Sequence, residues 1–222
     1  MINIITIDGP SGVGKGTVSL KIAKHLGWHI LDSGALYRIL ALVAERKQIS
    51  IENVTELVKL ATKLDIKFIP TDDLSELQII YAGQNITSEI RSEIYGNIAS
   101  QIAVKKEVRT ALLARQRAFH ISPGLVADGR DMGTVVFPEA KYKFFLTASC
   151  EERALRRYKQ LINIGICVKL SEVAVEVARR DERDSTRSTA PLMAAHDAVT
   201  IDTTELPIEK VVKNILDIVV LN

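Results

Sequence analysis

Apolar residues in this chain follow two rhythms. Short, nearly solid runs recur at 2–7, 29–31, 125–127, 143–148 and 198–201, each followed by small or charged residues. Stretches with apolar positions three and four apart fill most of the gaps. Solid runs suit strands buried on both faces, and strands that alternate with helices predict an α/β fold with a central parallel sheet between two helical layers. Residues 62–90 break this rhythm. Asp65-Ile66-Lys67-Phe68-Ile69 alternates, as does part of 77–81, and Ala82-Gly83-Gln84-Asn85 supplies turn chemistry before Ile86. That pattern predicts a small antiparallel sheet inserted between helices, outside the main sheet. Near the C-terminus, Ile208, Val211, Val212 and the run 215–221 make an amphipathic packing helix with Pro207 near its first turn.

The first apolar run ends in Asp8-Gly9-Pro10-Ser11-Gly12-Val13-Gly14-Lys15-Gly16-Thr17, after which Val18, Ile22 and Leu26 are helically spaced. Strand, glycine-rich loop and helix in that order form a phosphate loop. Glycines let successive backbone N–H groups turn inward around phosphate oxygens. The helix N-terminus contributes partial positive charge, and Lys15 a full one near the β- and γ-phosphates. The stretch from Gly9 to Thr17 is therefore read as an ATP-binding segment. It departs from the common pattern in one place: Gly16 follows Lys15, and the hydroxyl comes a residue later, at Thr17. Position 16 can offer magnesium nothing. The ion would depend on the nucleotide's phosphates, on water, and on carboxylates at strand ends, with no particular ligand identified.

Composition narrows the classes. The chain has 222 residues, enough for one α/β domain with an insertion, and a net charge of +2 from 29 basic and 27 acidic residues. So even a balance leaves no footprint for nucleic acid. Cys150 and Cys167 lack metal-ligand spacing and read as reduced thiols of a cytoplasmic protein. The N-terminal run lacks a basic flank and is interrupted by Asp8, against a signal peptide, and no apolar stretch reaches membrane-spanning length. Nothing demands an oligomer, so a monomer is expected. Thr62-Lys63-Leu64-Asp65 resembles a guanine-reading motif, but it lies too early in the chain and no Asp-x-x-Gly accompanies it.

Ligands of parallel sheets sit beyond the carboxyl ends of the strands, where Asp8, Asp32, Asp128 and Asp202 fall. One or two of these are expected near metal or substrate, the others as loop caps. In Asp32-Ser33-Gly34-Ala35-Leu36-Tyr37-Arg38, Ser33 is placed as a helix N-cap, and Arg38 about one turn on faces the ligand edge. Asp128-Gly129-Arg130-Asp131-Met132-Gly133-Thr134 sets an Arg-Asp pair between two glycines, more charge than a simple turn requires. Arginine dominates the helices that follow: Arg153, Arg156 and Arg157, then Arg179, Arg180, Arg183 and Arg187. Guanidinium forks match phosphate oxygens better than ammonium does. Several arginines plus one loop lysine point to phosphate moving between two bound molecules.

These segments, with Asn97-Ile98-Ala99-Ser100-Gln101, Val108-Arg109, Arg115-Gln116-Arg117 and Val135-Val136-Phe137-Pro138, resemble the bacterial cytidylate kinases along nearly the whole chain. The resemblance implies a P-loop nucleoside monophosphate kinase that moves the γ-phosphoryl of ATP to CMP or dCMP with Mg²⁺. It implies a core (1–32, 105–150, 170–222), a CMP-binding region with the insert (33–104) and a short lid (151–168). It implies that Ser100, Arg109 and Asp131 face the base, that Arg180 and Asp184 meet the sugar, and that Arg38, Arg130 and Arg187 meet phosphates. Ser33, Tyr37 and Asp128 belong to the same CMP-binding set. Cytosine suits this assignment, since Asp131 can accept from N4 while Arg109 and Ser100 donate to N3 and O2. The acceptor is already an anion, so no general base is needed; Lys15 and an arginine among Arg130, Arg153 and Arg157 are the expected catalytic groups. Alternatives are a P-loop kinase for UMP, AMP or an alcohol, and a non-catalytic ATP-binding module.

Overall fold

The computed structural model describes residues 3–71 and 76–220. Ile2, at the start of the first apolar run, and Leu221, at the end of the last, lie outside the described residues. Five parallel strands form the main sheet: β1 (Ile4–Asp8), β2 (His29–Asp32), β6 (Leu125–Gly129), β7 (Tyr142–Thr147) and β8 (Val199–Asp202), in the order β2-β6-β1-β7-β8. All five fall where solid apolar runs predict them. Successive side chains on a strand point to opposite faces, and this sorts the core in two. Ile4, Leu31, Leu125 and Ala127 join one apolar cluster; Ile5, Ile7, Ile30, Val126, Phe144 and Leu146 join the other.

The second face carries α1 (Lys15–Leu26) and α9 (Ile208–Val220), whose buried residues Val18, Ile22, Val211 and Ile215 meet the strands. Over the first face lie α2 (Ser33–Arg46), α3 (Val54–Thr62), α5 (Glu93–Ile102) and α6 (Lys106–Arg117). Here α2 packs on α5, and α3 on α6. A second, three-stranded antiparallel sheet joins β3 (Ile66–Pro70), β4 (Leu77–Tyr81) and β5 (Gln84–Asn85), followed by the short α4 (Thr87–Ile90). The turn is tighter than the sequence suggests. Ala82 and Gly83 alone make it, with φ of 48° and 79°, and Gln84–Asn85 is a strand paired with Ile80 and Tyr81. Two left-handed residues match the twist of the flanking strands, as two-residue hairpins require.

The remaining pair, α7 (Cys150–Asn163) and α8 (Leu170–Thr186), forms a hairpin with its own small core of Ala154, Leu161, Val173 and Val177. No helix among the described residues is long and apolar enough to cross a membrane. Register sets up the site. Asp8 pairs with Gly129, and Asp32 with Asp128, so β1, β2 and β6 end level and deliver their loops to one edge.

Candidate active site

The loop between β1 and α1 is held open by backbone geometry. Gly9, Gly12 and Gly14 all have positive φ. At Gly9 a Cβ would stand 2.1 Å from the Leu146 carbonyl oxygen, so β7 excludes any side chain there. Helix α1 starts at Lys15 with Gly14 as its cap, no capping side chain and no acid in its first turn, leaving its N-terminal N–H groups for an anion. Pro10, Ser11 and Val13 serve through their carbonyls. Pro10 oxygen accepts from Lys15 Nζ at 2.7 Å, Ser11 oxygen from Arg153 at 3.1 Å, and Val13 oxygen from the Thr203 hydroxyl at 3.2 Å. Gly16 and Thr17 are exposed. Lys15 is buried, and burial and then Arg130 push its pKa down from 10.5 to about 7. A lysine desolvated beside other cations is poised for an incoming anion.

Three of the four strand-end carboxylates cap backbone N–H groups. Asp8 accepts the N–H groups of Met132 and Gly133, both at 2.8 Å, and so pins a π-helical turn (Met132–Val136) to the end of β1. Burial nevertheless pushes its pKa up to about 6. Asp202 caps Thr204. Asp32, not Ser33, is the N-cap of α2, accepting from Ala35 N at 2.9 Å. An Asp one residue earlier reaches the same N–H, and Ser33 becomes the first helical residue, its hydroxyl donating to Gln116 at 2.8 Å. Asp128 is the carboxylate left over. No hydrogen bond from a described residue reaches its side chain, burial pushes its pKa up to about 7, and Lys15 and Arg130 pull it down. Its Oδ2 stands 3.5 Å from where a Cβ on Gly16 would be.

Facing the loop is a crevice of paired charges. Arg130 donates to Asp184 at 2.8 Å, and Arg109 to Asp131 while lying 5.8 Å over the Tyr37 ring. Burial raises the Asp184 carboxyl, but Arg130, Arg180 and Arg187 hold it below its ordinary value. Arg38 is tied to the carbonyls of Ile90 and Ser92, and Arg187 to that of Ala190. Burial and then Arg130 lower Arg180 to about 10. These groups act on one another in a continuous chain: Lys15 with Arg130 and Arg180, Asp184 with Arg187, and Arg187 with Arg109, Asp131 and Tyr37. Seven buried side-chain atoms of the described residues lack a hydrogen-bond partner; three belong to this set, Tyr37 Oη, Arg180 Nε and Arg187 Nη2, and a fourth is Ser100 Oγ on α5.

The arginines of α7 stand differently. Arg153 and Arg157, one turn apart, are each neutralised from another helix. Asp181 on α8 grips Arg153 through its two terminal guanidinium nitrogens, at 2.9 and 2.5 Å, and Glu93 on α5 takes Arg157. Arg153 thus braces the phosphate loop, while Arg157 spans from the hairpin to α5. Asp181, Glu93 and Gln116 are absent from the expected site because their partners lie 28, 64 and 83 residues away. Only the acids themselves, set in arginine-rich surroundings, hint at pairing.

A phosphate loop and an arginine-rich crevice, facing each other beyond the carboxyl ends of a parallel sheet, define a P-loop α/β protein. The chain matches the cytidylate kinase family over residues 5–220. It is 55% identical over 213 residues to the cytidylate kinase of Azotobacter vinelandii, covering 96% of this chain and 93% of that one. To the cytidylate kinases of Shewanella frigidimarina and Colwellia psychrerythraea it is 50% and 52% identical, over 97% and 96% of this chain and 94% of each. The chain belongs to the cytidylate kinase family.

Proposed function

We propose that the protein transfers the γ-phosphoryl group of ATP to CMP or dCMP, giving ADP and CDP or dCDP. The observation that carries the acceptor assignment is the set of orphaned polar atoms on Tyr37, Ser100, Arg180 and Arg187. Buried polar groups in folded proteins are nearly always paired, so a cluster of unpaired ones is built for a ligand. The ligand must be polar, anionic and able to meet a carboxylate beside an arginine. Cytidine monophosphate does so. Asp131 accepts from N4, Arg109 and Ser100 donate to N3 and O2, Arg180 and Asp184 meet the sugar, and Arg38, Arg130 and Arg187 meet the phosphate. Ser33 and Tyr37 complete this face. On this reading residues 33–104 form the acceptor region, 151–168 a lid, and the rest the core.

The donor lies in the loop from Gly9 to Thr17, its phosphates on the backbone N–H groups and the α1 N-terminus. Mg²⁺ fits the residues present. It binds through few carboxylates plus substrate phosphates and water, and Asp128 offers one unoccupied buried carboxylate beside Gly16, with Thr17 nearby. When bound with the nucleotide, it neutralises charge on the β- and γ-phosphates. Lys15 leaves the Pro10 carbonyl for the γ-phosphoryl, and the acceptor phosphate oxygen, already anionic, attacks in line. Arg130 and Arg157 spread the transferring charge, and Arg153 holds the loop's shape. The free thiols Cys150 and Cys167 agree with a reducing compartment, and we place the protein in the cytoplasm as a monomer. A coupled ADP-release assay with CMP, dCMP, UMP, AMP and shikimate tests the proposal. Turnover confined to CMP and dCMP is expected; turnover chiefly with another acceptor would overturn the base assignment.

A further inference from the structure

Arg157 enters the crevice from α7, and what receives it is Glu93, in the first turn of α5. A single oxygen, Oε1, accepts from Nε at 2.6 Å and from Nη2, while Gln160 takes Nη1 at 3.1 Å. One anionic oxygen between two guanidinium N–H groups reproduces the contact a phosphoryl oxygen makes with arginine. Glu93 also acts electrostatically on Arg38 and Arg180. Arg38 in turn is bound to the carbonyls of Ile90 and Ser92, just before it in the chain. The stretch 90–93 therefore gathers one arginine from the sheet's helices and one from the hairpin.

Three acids pair with arginines here, and exposure separates them. The side chains of Asp131 and Asp184 are 6% and 9% exposed, so breaking either pair strands a charge in a dry site. The Glu93 side chain is 39% exposed, so its carboxylate can exchange Arg157 for water at small cost. Glu93 is the displaceable anion of the three.

We propose that Glu93 is a positioning residue for phosphoryl transfer, an internal anion that occupies Arg157 in the empty crevice and yields it when substrate phosphates arrive. This rests on the reading of Arg157 as a group that meets the transferring phosphoryl. With ATP alone, Arg157 stays on Glu93, and water attacking the γ-phosphoryl lacks that arginine's help. With both substrates bound, their combined charge draws Arg157 inward, and the released carboxylate turns to solvent. The arginine is thereby delivered when the correct acceptor is present.

The test compares Glu93→Gln, Arg157→Gln and the double variant in the full chain. In Glu93→Gln, inorganic pyrophosphate measured by calorimetry should bind about two- to fivefold tighter, the scale of a half-exposed ion pair. ATP hydrolysis without CMP, relative to CMP-dependent turnover, should rise by a similar roughly two- to fivefold factor. Both gains should vanish on the Arg157→Gln background, because groups acting through one contact are not additive. Unchanged affinity and hydrolysis ratio, or gains that persist without Arg157, would overturn the proposal. Should Glu93→Gln unfold, Glu93→Asp, one methylene shorter, weakens the same contact with the charge at the helix start retained. Pyrophosphate binding needs no catalysis, so a parent chain that phosphorylates no CMP would sink the proposed function and leave Glu93 to be judged on calorimetry.

Discussion

The phosphate loop and the crevice that faces it are built on opposite plans. The phosphate loop is nine consecutive residues in which backbone does the work: glycines at positive φ, a helix start without acids, and carbonyls braced by Arg153 and Thr203. The crevice opposite is side chains from α2, α5, α6, α8 and the β6 loop, already paired with one another or left with atoms unpaired. A backbone cradle holds any phosphate chain and reads nothing beyond it. A crevice of oriented side chains discriminates, because a wrong partner leaves a buried group unmatched. On the proposed function, generic affinity and specific recognition are thus divided between the loop and the crevice.

Removing Lys15 strikes both sites at once. Lys15→Ala should lower kcat by about 10²–10³-fold or more, the cost of losing one preorganised charge at a transferring group. Its thermal melt should be no lower than that of the parent, since the substitution removes an unfavourable buried charge. Near-normal turnover would break the donor assignment. A smaller effect, confined to recognition, is expected on the other side. Asp131→Asn should cut the CMP over UMP ratio of kcat/KM by about ten- to several-hundred-fold. A ratio left intact would show that the crevice does not read the base through this residue.

Asp128 sharpens the contrast through pH. Its carboxyl is raised from 3.8 to about 7, so the stability tied to its proton is full below pH 3.8 and is lost as pH rises to about 7. Lys15 runs the other way: lowered from 10.5 to about 7, it contributes stability that is present above pH 10.5 and is lost as pH falls to about 7. Together these two groups contribute least to the stability of the ligand-free protein near pH 7. Asp128→Asn should gain on the parent by roughly 1–4 kcal/mol between pH 4 and 7, measured by urea unfolding. A difference independent of pH would refute the buried-carboxyl account. The smallest stability effect belongs to Tyr37→Phe. Its buried hydroxyl has no partner in the empty crevice, so removing it should raise the unfolding free energy by about 1 kcal/mol while calorimetric CMP affinity falls. A large loss of stability would mean the hydroxyl is paired without ligand.

How far the sequence reveals each site follows from the same division. The loop is contiguous, so its chemistry and its strand–loop–helix setting are legible in one window. The five sheet strands are legible too, since burial on both faces leaves solid apolar runs. What one window cannot carry is pairing across the fold. Ser33 fits a cap by type, yet Asp32 is one residue nearer the right geometry and caps instead. Arg153 and Arg157 look alike on their helix and differ only through Asp181 and Glu93, set by how α7 packs against α8 and α5. Asp8, Asp32, Asp128 and Asp202 look equivalent until the turn at Met132–Val136, the α2 start and Thr204 claim three of them.

One of those claims fixes a distance. Asp8 immediately precedes the phosphate loop, and its two oxygens clasp the backbone directly after Arg130 and Asp131. The phosphate loop and the loop after β6 are therefore riveted together at a single residue, at the carboxyl edge of the sheet. The spacing between these two loops is thereby set within the sheet itself, apart from the α7–α8 hairpin.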